Sequence, residues 1–157
     1  MSNLKNINIL VPNTGASQLS FFVIKELNSL TKTRPEIDSI LFYENKHKNC
    51  LPTNFSVMQI SEAWGQSEAI IATTLSTARK LQKIPARNKI FYVWDLEWIR
   101  DSAKKSYEKY SNVYGDESLT LVARSEHHKL AIENAFNRTV EHIVSDFNMQ
   151  NILEILQ

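Results

Sequence analysis

The sequence has little of what builds a phosphate-binding loop or a disulfide framework. Among 157 residues there are only three glycines and one cysteine, Cys50. The dinucleotide fingerprint G-x-G-x-x-G and the P-loop G-x-x-x-x-G-K-[ST] both need closely spaced glycines, and neither occurs. These absences argue against a nicotinamide-dependent dehydrogenase and a P-loop NTPase. A single cysteine cannot form an intrachain disulfide, which suits a reducing compartment.

Long apolar runs and an excess of one charge are also missing. The first apolar run, residues 7–11, is too short for a secretory signal, and no later run approaches the roughly 18 residues of a membrane span. We therefore expect a cytoplasmic protein without membrane attachment. The net charge is +1, so there is no strong nucleic-acid signal. The densest basic stretch is typical of a solvated helix end and loop, and contains Lys80, Lys83, Arg87 and Lys89.

Short β-like runs alternate with longer helix-like runs along the chain. Strands are predicted at residues 7–11, 37–43, 55–60, 69–72, 89–94, 119–123 and 140–144. Helical periods are predicted at 19–30, between 73 and 85, and at 101–112, 126–136 and 148–156. This βαβ alternation predicts an α/β fold, a single Rossmann-like open parallel sheet with helices on both faces, as one domain over residues 1–157. The pattern leaves open whether the strand order is that of a Rossmann or a flavodoxin fold. Ser76 and Ser125 are the predicted N-caps of two helices.

In an open parallel sheet, ligands bind outside the carboxyl ends of the strands. Thr14 and Gly15 follow the first predicted strand, and Ser125 and His127 follow the sixth. We predict these four residues as substrate-binding. The loop at Gly15 has one glycine, yet a phosphate could still lie at the N-terminus of the helix that follows.

Metal ligands and nucleophiles lack a supporting pattern. His47 and Cys50 have a ligand-like spacing but no second pair, and adjacent His127 and His128 would point about 100° apart on a helix. No G-x-S-x-G elbow is present. The sequence therefore predicts no metal site and no covalent nucleophile.

Residues 91–98 are the most distinctive segment, because a very apolar strand ends in two carboxylates flanked by tryptophans. If the chain stays extended, Asp95 and Glu97 face the same way, and one could act as a base or bind sugar hydroxyls. Trp98 could stack on a sugar ring or base. The alternative is structural: Asp95 caps the next helix, and Trp94 and Trp98 cover the edge of the core.

Two segments carry a resemblance to a known family. The run from Tyr92 to Glu97 is similar to a strand end, "Y-x-x-Q-D-x-E", of some sugar-nucleotide transferases, although Trp94 stands where that pattern often has Gln. The run from Leu119 to Ser125 and the helix after it are similar to the strand, serine and helix found further on. The chain thus resembles the N-terminal, acceptor-side half of GT-B fold glycosyltransferases.

The resemblance implies Asp95 and Glu97 as catalytic residues, Ser125 as a substrate contact, and a sugar nucleotide as ligand with no other cofactor. A GT-B active site lies between two Rossmann-like halves, so we expect either a separately encoded C-terminal half or a homodimer as partner. The alternative functions are a non-catalytic cytoplasmic interaction module and a small-molecule sensor. The strand end Val11-Pro12-Asn13 lacks the acidic cluster of a receiver-type sensor.

Overall fold

The strands form one fully parallel, seven-stranded sheet in the order β3-β2-β1-β4-β5-β6-β7. The structure is a computed structural model that describes residues 3–66, 68–101 and 107–157. The strands are β1 Asn6–Val11, β2 Asp38–Tyr43, β3 Ser56–Gln59, β4 Ala69–Ala72, β5 Asn88–Val93, β6 Thr120–Ala123 and β7 His142–Ile143. The predicted α/β fold with a Rossmann-like parallel sheet is confirmed.

The helices follow the strands, as the alternation predicted. They are α1 Gln18–Thr33, α2 Leu75–Leu81, α3 Glu97–Arg100, α4 Tyr107–Tyr114, α5 Glu126–Phe136 and α6 Met149–Leu156. Short 3-10 helices cover Ile60–Gly65 and Ser145–Phe147. The predicted helix at 101–112 differs: a short helix begins earlier, at Glu97, and α4 continues to Tyr114. Residues 102–106 of that prediction lie outside the described residues.

Two apolar clusters show that helices cover both faces of the sheet. One cluster joins α1 and α6 to the strand residues Ile7, Ile9 and Val11. The other joins α2, α4 and α5 to the opposite face, where Leu10 lies. All four residues of β4 are buried, as expected for a strand covered on both sides.

Capping side chains fix where the helices begin. Ser125 caps α5 as predicted, and its Oγ accepts a hydrogen bond from the His128 N–H. The prediction for α2 was wrong by two residues, because Thr74 is the N-cap. Thr74 has an extended backbone, and Thr77 three residues later completes a capping box with it. Ser76 lies inside the helix instead.

The strand order is the Rossmann one, so the chain reverses its direction of winding between β1 and β4. Thr73, just after β4, is buried and donates a hydrogen bond from Oγ1 to the Leu10 carbonyl of β1 at 2.7 Å. This bond ties the two central strands together beside the reversal point. Ligand-binding crevices of open α/β sheets lie at such a point, outside the carboxyl ends of the strands.

No helix within the described ranges is long and apolar enough to cross a membrane.

Candidate functional site

The loop after β1 is closed by the loop after β2. The Thr14 hydroxyl is buried and donates to Asn49 Oδ1 at 2.5 Å, and the Thr14 carbonyl accepts from the Cys50 N–H. Gly15 is buried as well, and a Cβ on it would lie 3.2 Å from the His47 side chain. The space above Gly15, where a phosphate could have approached the backbone, is thus filled by the chain itself. The polar contacts of Asn49 and His47 with this loop were not foreseen, since they depend on how residues 45–54 fold back.

The two carboxylates after β5 separate instead of facing the same way. β5 ends at Val93, and Glu97 is already the first residue of α3, with Leu96 as its N-cap. The Asp95 carboxylate is 48 % exposed and pairs with Arg100. Glu97 turns toward α2, where its Oε1 accepts the Leu75 N–H at 2.8 Å. Neither the extended arrangement nor the capping role for Asp95 is found.

The Glu97 carboxyl holds its proton more tightly than an exposed glutamate does. Burial raises its pKa above the ordinary value of 4.5, and the hydrogen bond from Leu75 offsets part of this rise. No described residue donates a hydrogen bond to its second oxygen, Oε2. A carboxyl group with a raised pKa and a free oxygen has the properties of a general base.

Both tryptophans near this strand end contact other rings. Trp98 meets Tyr114 and Phe136 edge to face, at centroid distances of 5.1 and 4.9 Å. Trp94 is buried against Phe22, and the Arg124 guanidinium lies 3.7 Å from the Trp94 ring centroid. These contacts match the structural alternative, in which the rings cover the edge of the core.

The end of β6 presents Arg124, Ser125 and His127. Ser125 is engaged as the cap of α5, and His127 in the first turn of that helix is exposed. Arg124 also donates to the Trp94 carbonyl at 3.2 Å, which links the ends of β5 and β6. Next to His127, burial and the positive charge of Arg124 lower the pKa of His128.

One cavity of about 370 Å³ opens at the carboxyl edge, between α2 on one side and Glu97 and the start of α4 on the other. Of the seven predicted site residues, Glu97 alone lines it. Its other lining residues are Leu75, Ser76, Arg79, Lys80, Lys83, Lys109 and Tyr110. The cationic residues on the α2 side of the cavity could have been predicted from the sequence, because Arg79, Lys80 and Lys83 recur at helical spacing. Lys109 and Tyr110 enter only through the packing of α4 beside α2.

Glu44, the residue after β2, contacts two side chains of α2. Its carboxylate accepts a hydrogen bond from Ser76 Oγ at 2.6 Å and pairs with Lys80. The ends of β2, β4 and β5 are therefore joined through α2.

Within the described part of the chain, no three His, Cys, Asp or Glu side chains are placed to hold a metal ion. Comparison with protein-family models, curated proteins and solved structures finds no match for this sequence or fold.

Proposed function

We propose that this chain is a glycosyltransferase-like domain, the acceptor-side half of a GT-B type enzyme, and that its acceptor binds in the cavity between α2 and α4. The observation that carries the proposal is Glu97, a carboxyl group with a raised pKa, lining a cavity at the carboxyl edge of a Rossmann-type sheet. The resemblance at Tyr92 to Glu97 supports the same residue.

The chemistry assigned to Glu97 is proton acceptance from an acceptor hydroxyl. As the hydroxyl oxygen bonds to the anomeric carbon of a sugar nucleotide, the bond from that carbon to the diphosphate oxygen breaks. The nucleoside diphosphate leaves with the electron pair, and the hydroxyl proton passes to Glu97 Oε2. Oε1 stays bonded to the Leu75 N–H, which holds the carboxylate in one orientation.

Asp95 is the second carboxylate in the proposal. Its exposed oxygens face solvent beside Arg100, so they can accept hydrogen bonds from sugar hydroxyls. Most contacts to the donor nucleotide would come from a second half, supplied by a separately encoded chain or a second copy of this one.

A thermal-shift screen with sugar nucleotides and simple glycans tests the proposal. A glycan at about 100 times its Kd adds roughly 2.7 kcal/mol of stability, which raises Tm by several degrees. We expect one glycan to give such a shift, and Glu97→Gln to remove it. Glu97→Gln suits this test because an amide oxygen can still accept the Leu75 N–H.

Glu117→Gln is the matched control, since it removes an exposed carboxylate outside this cavity. If no glycan or sugar nucleotide shifts Tm, or if the shift survives in both Asp95→Asn and Glu97→Gln, the proposal is wrong.

A non-catalytic interaction module is the second candidate. It is favoured by two exposed large hydrophobic side chains, Ile99 in α3, which is 64 % exposed, and Tyr107 at the start of α4, which is 58 % exposed. Light scattering tests it, since self-association should weaken in Ile99→Ser. A chain that stays monomeric at high concentration and recovers no partner would exclude it.

A further inference from the structure

Four cationic side chains converge on the cavity between α2 and α4. Arg79 and Lys80 come from α2, Lys83 from the turn after it, and Lys109 from α4. The two helices are held side by side, since Gln82, the residue after α2, donates to the Asn112 carbonyl of α4 at 3.2 Å. This local concentration contrasts with the whole chain, whose net charge is only +1.

Two of these cations are neutralised by neighbouring carboxylates, and two are not. Lys80 pairs with Glu44, and Lys109 lies 3.6 Å from Asp101 Oδ2. Arg79 and Lys83 have no ion pair with any described residue. Arg79 lies on α2, Lys83 follows two residues after its end, and both line the cavity.

The remaining carboxylate of the cavity does not balance that surplus. Glu97 accepts the Leu75 N–H through Oε1 and forms no ion pair with Arg79 or Lys83. A bound dianion would neutralise the positive charges of Arg79 and Lys83. The guanidinium suits phosphate in particular, because its planar N–H groups match two phosphate oxygens at once.

We propose that this cavity binds the phosphate group of a phosphorylated small molecule through Arg79 and Lys83. The volume of about 370 Å³ matches a small ligand, because pockets for such molecules start at roughly 300 Å³. The inference goes beyond glycosyl transfer, which requires only a hydroxyl on the acceptor. Transfer to the hydroxyl of a sugar phosphate would combine the two proposals.

Isothermal titration at low ionic strength tests the inference, with glucose 6-phosphate, inorganic phosphate and glucose as probes. We expect glucose 6-phosphate to bind, with an affinity that falls as salt rises, because Arg79 and Lys83 are exposed. The double variant Arg79→Gln/Lys83→Gln should lose about tenfold or more in affinity, since it removes both cations that would contact the phosphate.

A matched control is Lys46→Gln/Arg87→Gln, which removes the same charge from two exposed residues outside the cavity. An equal loss in this control would show a general charge effect and overturn the inference. No binding of either phosphate compound, or stronger binding of a short DNA duplex to the same residues, would overturn it too. Equal affinity for inorganic phosphate and glucose 6-phosphate would assign recognition to the phosphate group alone, and tighter binding of glucose 6-phosphate would add a contact to the sugar.

The variants also separate this inference from the proposed function. Glu97→Gln removes a negative charge from the cavity, so phosphate affinity should be retained or increased while glycan binding is lost. Arg79→Gln/Lys83→Gln should retain the binding of an uncharged glycan while phosphate binding is lost. Each proposal can therefore fail without the other.

Discussion

The Glu97 carboxylate accepts the Leu75 N–H at 2.8 Å, which joins the loop after β5 to the first turn of α2. The N–H groups of Thr73 and Thr74 are bonded to Thr77 Oγ1 at 3.0 and 2.9 Å. Side chains of the protein therefore accept the hydrogen bonds of the backbone N–H groups at the start of α2. A ligand in the cavity would bind to side chains, and Glu97 has both a structural and a proposed chemical role.

Glu97→Gln should change the dependence of stability on pH. Burial raises the Glu97 pKa in the folded protein, so the folded state binds this proton more tightly than the unfolded state. The stability from that proton is present below the ordinary pKa of 4.5 and is lost as pH rises through the higher folded pKa. Wild type should therefore lose stability relative to Glu97→Gln across this window. Urea unfolding of both proteins from about pH 4 to pH 8 measures the difference, and a difference that does not vary with pH would refute the shift.

Much of the fold could be predicted because its signals are local. Apolar runs buried on both faces, such as residues 69–72, identify parallel strands, and the stripe at 19–30 identifies α1. Ser125 was recognisable as a cap because it directly precedes a helical period. Thr74 was missed in favour of Ser76 because both are good capping residues, and only the backbone angles distinguish them.

The site was less predictable because it depends on strand order and on one change of backbone direction. Asp95 and Glu97 would share a face only in an extended chain, and the turn into α3 separates them. Arg79 and Lys109 are 30 residues apart and meet because β4 and β5 are neighbours, which places α2 beside α4. Similarly, Thr14 and Gly15 are closed off by a loop whose path has no periodic signal.

Tyr92→Phe should destabilise the protein by about 1–3 kcal/mol, because it leaves buried backbone groups without a partner. The Tyr92 hydroxyl donates to the Val144 carbonyl and accepts the Phe147 N–H at 3.1 Å. Phe147 has a φ of 57°, so this hydroxyl helps hold a left-handed backbone. Burial also raises the pKa of Tyr92 to about 12. Denaturant unfolding at neutral pH measures the loss.

Tyr114→Phe is the control for that measurement, since it makes the same chemical change at another fully buried tyrosine. The Tyr114 hydroxyl is buried and has no hydrogen-bond partner among the described residues. Removing it should be neutral or stabilising. If both variants lose the same stability, the hydrogen bonds of Tyr92 are not the cause.

Two glycines should respond in opposite ways to alanine. A Cβ on Gly115 would lie 2.8 Å from the Ser111 carbonyl oxygen, which is backbone and cannot move aside easily. A Cβ on Gly65 would have no atom within 4 Å, and neither glycine has a positive φ. Gly65→Ala should therefore stabilise the protein by about 0.4–1 kcal/mol by restricting the unfolded chain, whereas Gly115→Ala should destabilise it by more than that amount. Because both substitutions add the same methyl group, parallel urea titrations isolate the effect of the close contact. Equal stabilisation by both would show that the end of α4 can shift without cost.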